Sequence, residues 1–212
     1  MLRARNPGHF ARFSQPDAET DIFTAAREGK ISALAALLKA DPGLVNSTNA
    51  FGQTPLRVAA MSGQTNAIEL LLQQGSHWDI TSAVLAGQTQ AVTDILGREP
   101  SAIKVEYYGG SLLHLAAARG DAATTRLLLA KGGDWQAQDA LGRSPLGLAK
   151  LANHPDVVAI LRGQGASENL VDAAYTGFST NARAAFLQAK NPVFTNAYGL
   201  SLSAIAAGTG QA

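Results

Sequence analysis

The sequence predicts an all-α solenoid of short, stacked antiparallel helix pairs. Three observations carry that expectation. The chain of 212 residues is self-similar: "GQTPLRVAAMSGQ", "GGSLLHLAAARGD", "GRSPLGLAKLANH" and "GLSLSAIAAGTGQ" each read glycine, any residue, Ser/Thr, a short apolar helix and a small turn. The composition is 46% hydrophobic but only 6% aromatic, and its apolar part is mostly alanine and leucine, which suits closely packed helices better than sheet. Each copy, finally, offers one apolar stripe per short helix, which it can bury only against a neighbouring copy.

The elements follow in order. The opening "MLRARNPGHFARFSQPD" is basic, with Arg3, Arg5 and Arg12 and no acid before Asp17, and Pro7-Gly8 interrupts any helix. Residues 1–19 therefore read as a flexible tail, with a transit peptide as the alternative, and residues 20–212 as one repeat domain of about six repeats plus a truncated last one. The turns at Gly29, Gly63, Gly87, Gly120, Asn153, Gly177 and Gly210 are 34, 24, 33, 33, 24 and 33 residues apart. The short steps arise where a repeat enters its first helix without the preceding glycine turn. A short repeat followed by a full one recurs from Asp21, Asp79 and Asn169, and the full repeat through Asn153 is extra. In the full repeats Thr54, Ser111, Ser144 and Ser201 stand at the N-cap, where a hydroxyl oxygen accepts from an otherwise unpaired N–H. Pro55 and Pro145 take the first helical position, where the missing N–H costs nothing. A two-turn helix follows, a glycine stops it, and a second helix begins. "TNAIELLLQQG", "AATTRLLLAKG" and "DVVAILRGQG" are such second helices, ended by Gly75, Gly132 and Gly165.

Composition also excludes several functions. The net charge is +1, so nothing global favours nucleic acid or a membrane surface. There is no cysteine, which removes disulfides, thiolate metal sites and cysteine nucleophiles. No apolar run reaches the ~18 residues of a spanning helix. His9, His77, His114 and His154 have no metal-ligand spacing. The serines read as helix caps, no Gly-x-Ser-x-Gly elbow or phosphate loop is present, and Asp121, Asp156, Asp172 and Glu168 read as helix-start or loop charges. No catalytic, cofactor-binding or metal-ligating residue is nominated, and no cofactor is expected.

"TPLRVAA", "SLLHLAA" and "SPLGLAK" resemble the Thr-Pro-Leu-His-x-Ala helix start of the ankyrin repeat, whose period is 33. "LLLQQGSHWD" and "LLLAKGGDWQ" are similar to that family's second helix and Gly-Ala-Asp ending. The resemblance covers roughly residues 20 to 212. It implies a curved solenoid with projecting β-turn fingers and a non-enzymatic protein-interaction module. In the family the helix-start histidine, here His114, bonds backbone across the turn; Arg57, Gly147 and Ala204 stand in the equivalent places. Trp78 and Trp135 stand where the family usually has Val or Ile, and are expected to fill gaps between repeats. The short repeats opening at Ile22, Ile80 and Leu170 lack the finger sequence, so the row of fingers should be interrupted. The last repeat has no second helix. That leaves two expectations open: a piece of a longer protein, such as an enzyme or effector with its catalytic region elsewhere, or self-association through the uncapped end.

The candidate partner-binding residues follow from the same register. Phe51, Tyr108, Leu141 and Tyr198 precede the finger glycines, where polar residues are usual; Tyr107 adjoins them. Gln53 and Arg143 flank fingers, and Met61, Ser62 and Arg119 end first helices. The expected partner is a protein or peptide with a hydrophobic anchor, met by the concave face and finger tips in the cytoplasm, with no nucleic acid or membrane involved.

Overall fold

The computed structural model describes residues 21–177, 196 and 198–208. The tail 1–19, the turn at Gly210 and the chain end lie outside the described residues, as does the 178–195 part of the third short repeat. Helices pair as α1 (Ile22–Glu28) with α2 (Ile31–Ala40), α3 (Pro55–Met61) with α4 (Thr65–Gln73), α5 (Ile80–Leu85) with α6 (Thr89–Arg98), α7 (Leu112–Arg119) with α8 (Ala122–Ala130), and α9 (Pro145–Leu151) with α10 (Pro155–Gly163). Helix α11 (Leu170–Thr176) and the described helix α12 (Leu202–Gly208) follow. The first helices stack in one layer, α1 on α3, then α5, α7, α9, α11 and α12. The second helices form the other layer, with α2 against α4 and α8 between α6 and α10.

Helices α1, α3, α5, α7 and α9 each open on a polar cap and close on a residue at positive φ. Asp21, Thr54, Asp79, Ser144 and Asn169 each accept backbone N–H groups of the first turn. The turn at Gly120 has φ 72°, and Asn153 adopts φ 57° in the equivalent place. Asparagine is one of the few non-glycine residues that tolerate this region. The glycine is required for a second reason at Gly29 and Gly120. The Gln64 side chain lies on Gly29 and donates through Nε2 to the Arg27 carbonyl, 3.1 Å away, and His154 lies on Gly120 with Nε2 3.1 Å from the Ala118 carbonyl. A side chain at either glycine would collide with these locks between repeats.

The core runs as two large clusters. One gathers Ile22, Leu34, Leu56, Leu71 and Leu85; the other runs from Ile80 through Leu112, Leu128 and Leu146 to Leu161. Half-buried Trp78 packs against both, and Trp135 against the second. A small group of Val171, Ala174 and Ile205 continues the stack. No helix among the described residues is long and apolar enough to cross a membrane.

Candidate protein-interaction surface

Fingers precede α3, α7, α9 and α12, while α4 runs to α5 and α10 to α11 through short linkers that form none. Three fingers share one build. Asn49 accepts through Oδ1 from the N–H groups of Phe51 (2.9 Å) and Gln53 (3.0 Å); Asp139 does the same for Leu141 and Arg143, and Asn196 for Tyr198 and Leu200. The N–H of Gly52, Gly142 or Gly199 bonds back to the carbonyl of that same Asn or Asp. This is an Asx-stabilised turn closed by a left-handed glycine. It aims Phe51 and Tyr198 outward, while Leu141 in the equivalent place is half-buried. The side chains that set it, Asn49, Asp139 and Asn196, lie three places before each glycine, a regular spacing in the sequence that marks the fingers.

The finger before α7 differs. Glu106 takes the Asn/Asp place, and the strands β1 (Glu106–Tyr107) and β2 (Gly110–Ser111) pair antiparallel around Tyr108-Gly109, both at positive φ. Such a two-residue turn is the preferred hairpin connection. A Cβ on Gly109 would come within 2.8 Å of the Ala140 Cβ, so this finger packs directly on the next one.

On the other side a finger is missing, and Tyr107 and Tyr108 reach across the space. The Tyr107 hydroxyl donates to the Met61 sulfur at 2.9 Å. Gln53 Nε2 lies 3.4 Å from the Tyr107 oxygen, 3.3 Å from the Tyr108 oxygen and 3.4 Å from the Met61 sulfur. The two rings meet edge to face with centroids 4.4 Å apart. Burial, with the neighbouring Tyr108, raises the Tyr107 pKa, so its hydroxyl stays a donor. Gln53 is consequently only 7% exposed.

Below the fingers, polar links tie each first helix to the next repeat. His114 is buried; its Nδ1 faces the Ser111 N–H at 3.1 Å and its Nε2 the Arg143 carbonyl at 3.0 Å. The imidazole thus stiffens its own turn and also holds the following finger. Burial lowers its pKa, which keeps it neutral. At Arg57 the guanidinium pairs with Asp79 at 2.9 Å. Burial pushes the Asp79 carboxyl up, but bonds from Ser82 and the charge of Arg57 outweigh it and leave the pKa lowered. At Gly147 the space of the missing side chain is filled by the fully buried Asp172, which accepts from the Ser144 N–H (2.8 Å) and hydroxyl and from the Asn169 N–H (3.2 Å). Burial raises the Asp172 pKa. Each carboxylate is thus engaged at a cap. Among the described residues no group of three or more His, Asp or Glu is placed to hold a metal.

The expected partner-binding residues divide by environment. Phe51 is 79% exposed, Tyr108 71%, Tyr198 69% and Met61 42%. Ser62 and Arg119 are also exposed, at the ends of α3 and α7. Tyr107 and Leu141 are half-buried. Arg143 is held by Asp139 at 2.7 Å, with its guanidinium 5.7 Å from the Tyr175 ring centre. The exposed large apolar side chains among the described residues are Phe51, Met61, Val105, Tyr108, Leu151, Tyr198 and Leu200. All but Val105 sit on a finger tip or at the end of a first helix.

A family model for ankyrin repeats (three copies) matches residues 7–82 and 80–172. Inversin of Gallus gallus is 28% identical over 70% of the chain, and the probable E3 ubiquitin-protein ligase XBOS31 of rice 31% identical over 70%. The chain spans 11% of the former and 35% of the latter. Cyclin-dependent kinase inhibitor 2A of Homo sapiens is 30% identical over 76% of the chain and 89% of its own length. The crystal structure of the human ASB11 ankyrin repeat domain superposes with a TM-score of 0.51 at 22% identity, covering 87% of this chain and 90% of that one.

Proposed function

The chain belongs to the ankyrin-repeat family, and from that premise we propose that it is a non-enzymatic module that binds a protein or peptide partner through its finger tips and concave face. The observation that carries this reading is the placement of the exposed apolar side chains. Among the described residues, Phe51, Tyr108 and Tyr198 stand on finger tips and Met61 and Leu151 end first helices, the parts that the proposed surface uses. Contiguous exposed apolar patches commonly mark interaction sites, and aromatic rings concentrate binding energy at interfaces. Ser62 and Arg119 extend the same surface; Gln53, Tyr107, Leu141 and Arg143 position it. The kinase-inhibitor relative, matched over 89% of its length, supports a binder without a catalytic domain. A cytoplasmic location goes with this reading.

The test compares proteins retained from lysate by wild type, by Phe51→Ser/Tyr108→Ser and by Arg162→Ala, the last an exposed residue of the opposite helix layer. We expect a partner held by wild type and Arg162→Ala and lost by the double variant while its far-UV spectrum is unchanged. Retention by all three would sink the assignment of this face. A second reading, that the repeats serve as the non-catalytic part of a longer enzyme or effector, is favoured by the ligase relative, of which this chain matches 35%.

A further inference from the structure

Met61 and Met1 are the two methionines, and cysteine is absent, so Met61 carries the one sulfur atom beyond the initiator position. That sulfur sits at the end of α3, in a clasp closed by Tyr107, Tyr108 and Gln53. We propose that Met61 is a reversible oxidation site, converted by a peroxide to one preferred sulfoxide epimer, and that this modification resets the clasp between the first two fingers.

Access comes first: Met61 is 42% exposed at the end of α3, so a small peroxide reaches the sulfur from solvent. The donors come second. A thioether is a weak acceptor, yet the Tyr107 hydroxyl at 2.9 Å and the Gln53 amide at 3.4 Å both point at it. A sulfoxide oxygen is a far better acceptor for the same two groups. The Tyr107 hydroxyl engages one lone pair of the sulfur, so the two faces are not equivalent: an oxygen added on that face meets the donors, one added on the other face does not. The reaction balances simply. A sulfur lone pair attacks one peroxide oxygen, the O–O bond breaks, sulfur is oxidised by two electrons and the peroxide reduced, and water leaves when hydrogen peroxide is the oxidant. Stereospecific reductases reverse the step.

The consequence is steric as well as polar. An oxygen cannot enter between the sulfur and a hydroxyl 2.9 Å away without displacing Tyr107, and Tyr108 rests edge to face on that ring. Oxidation therefore turns an apolar spot polar and moves both tyrosines. The inference rests on the clasp geometry and needs no partner, so it stands or falls apart from the binding reading.

The experiment treats the folded full chain with hydrogen peroxide. It maps the added oxygen by peptide mass, counts epimers with the two stereospecific methionine sulfoxide reductases, and follows the tyrosine ring resonances by NMR. We expect one oxygen at Met61, one epimer in about fivefold or greater excess, the factor by which one net hydrogen bond to the oxygen arriving on that face of the sulfur lowers the barrier, and shifts of the Tyr107 and Tyr108 rings that the matching reductase restores. Tyr107→Phe should reduce the excess, and Met61→Leu should show no ring shift. Equal epimers in wild type, or unmoved rings after oxidation, would overturn the proposal. Should Tyr107→Phe fail to fold, the wild-type epimer ratio and ring shifts decide alone.

Discussion

His114 joins two repeats through one ring. Its replacement by alanine leaves the Ser111 N–H and the Arg143 carbonyl without their buried partner. A buried unpaired polar group costs about 1–3 kcal/mol, so His114→Ala should lose about 2–4 kcal/mol in urea unfolding once the lost packing is included. The pH dependence has a definite sign. The unfolded imidazole titrates near 6.5, and burial lowers the folded value, against the opposing pull of the Arg143 carbonyl and the Asp139 charge. Between the two values the unfolded chain binds the additional proton, so stability rises with pH. The contribution is complete above about pH 6.5 and is lost as pH falls towards the folded pKa. The stability gap between wild type and the non-titrating His114→Gln should therefore shrink below about pH 6.5; a constant gap would remove the titration from the account. This residue was legible in the sequence because its place in a repeated motif identified it. The roles of Tyr107 and Gln53 were not. Their contacts join positions 54 residues apart across an absent finger, and only the stacking of the repeats brings them together.

Helix α9 shows how a repeat accommodates the loss of a standard side chain. Gly147 stands where His114 stands one full repeat earlier, and Asp172, from the following first helix, supplies the polar link in its place. Gly147→Ala puts a methyl group into the carboxylate and must disturb its bonds to Ser144. Overpacking costs about 1–3 kcal/mol and a weakened hydrogen bond to a charged group about as much again, so a loss of about 2–4 kcal/mol is expected in thermal or urea unfolding. Gly97, inside α6, is the control. It is exposed and a Cβ there meets nothing within 4 Å, so Gly97→Ala should gain about 0.5–1 kcal/mol through helix propensity alone. Two similar losses, or two similar gains, would mean that Asp172 does not fill the site as described. The helices, caps and turns around these glycines were readable from Ser/Thr, Pro and Gly spacing because those signals are local. The exchange of His for Asp was not, since the carboxylate lies 25 residues beyond Gly147. The Asn and Asp residues that build the fingers were readable in principle, and the regular offset of Asn49, Asp139 and Asn196 from their glycines is the signal that finds them.

A solenoid has no central core, so its cooperativity depends on each contact between neighbours. Here that dependence has a particular location. The cluster around Leu34, Leu56 and Leu71 and the cluster from Ile80 to Leu161 share few flanking residues, and Trp78, in the fingerless linker before α5, packs on both. The missing finger is thus answered twice, by the tyrosine clasp between the flanking fingers and by an indole between the two parts of the core. Trp78→Ala should cost about 3 kcal/mol, the lower end for removing a large aromatic side chain, and the loss falls on the coupling between two blocks that each keep their own apolar interior. The expected result is a separation of unfolding transitions. The chain has two tryptophans, so in this variant Trp135 fluorescence reports only on the second cluster, while far-UV circular dichroism reports on both. Wild type should give coincident urea curves by the two probes; Trp78→Ala should give a dichroism curve that starts at lower urea than the fluorescence curve. Coincident curves in the variant, shifted together, would show that the helix-to-helix stack carries the coupling without Trp78 and would place the weak point of the solenoid elsewhere.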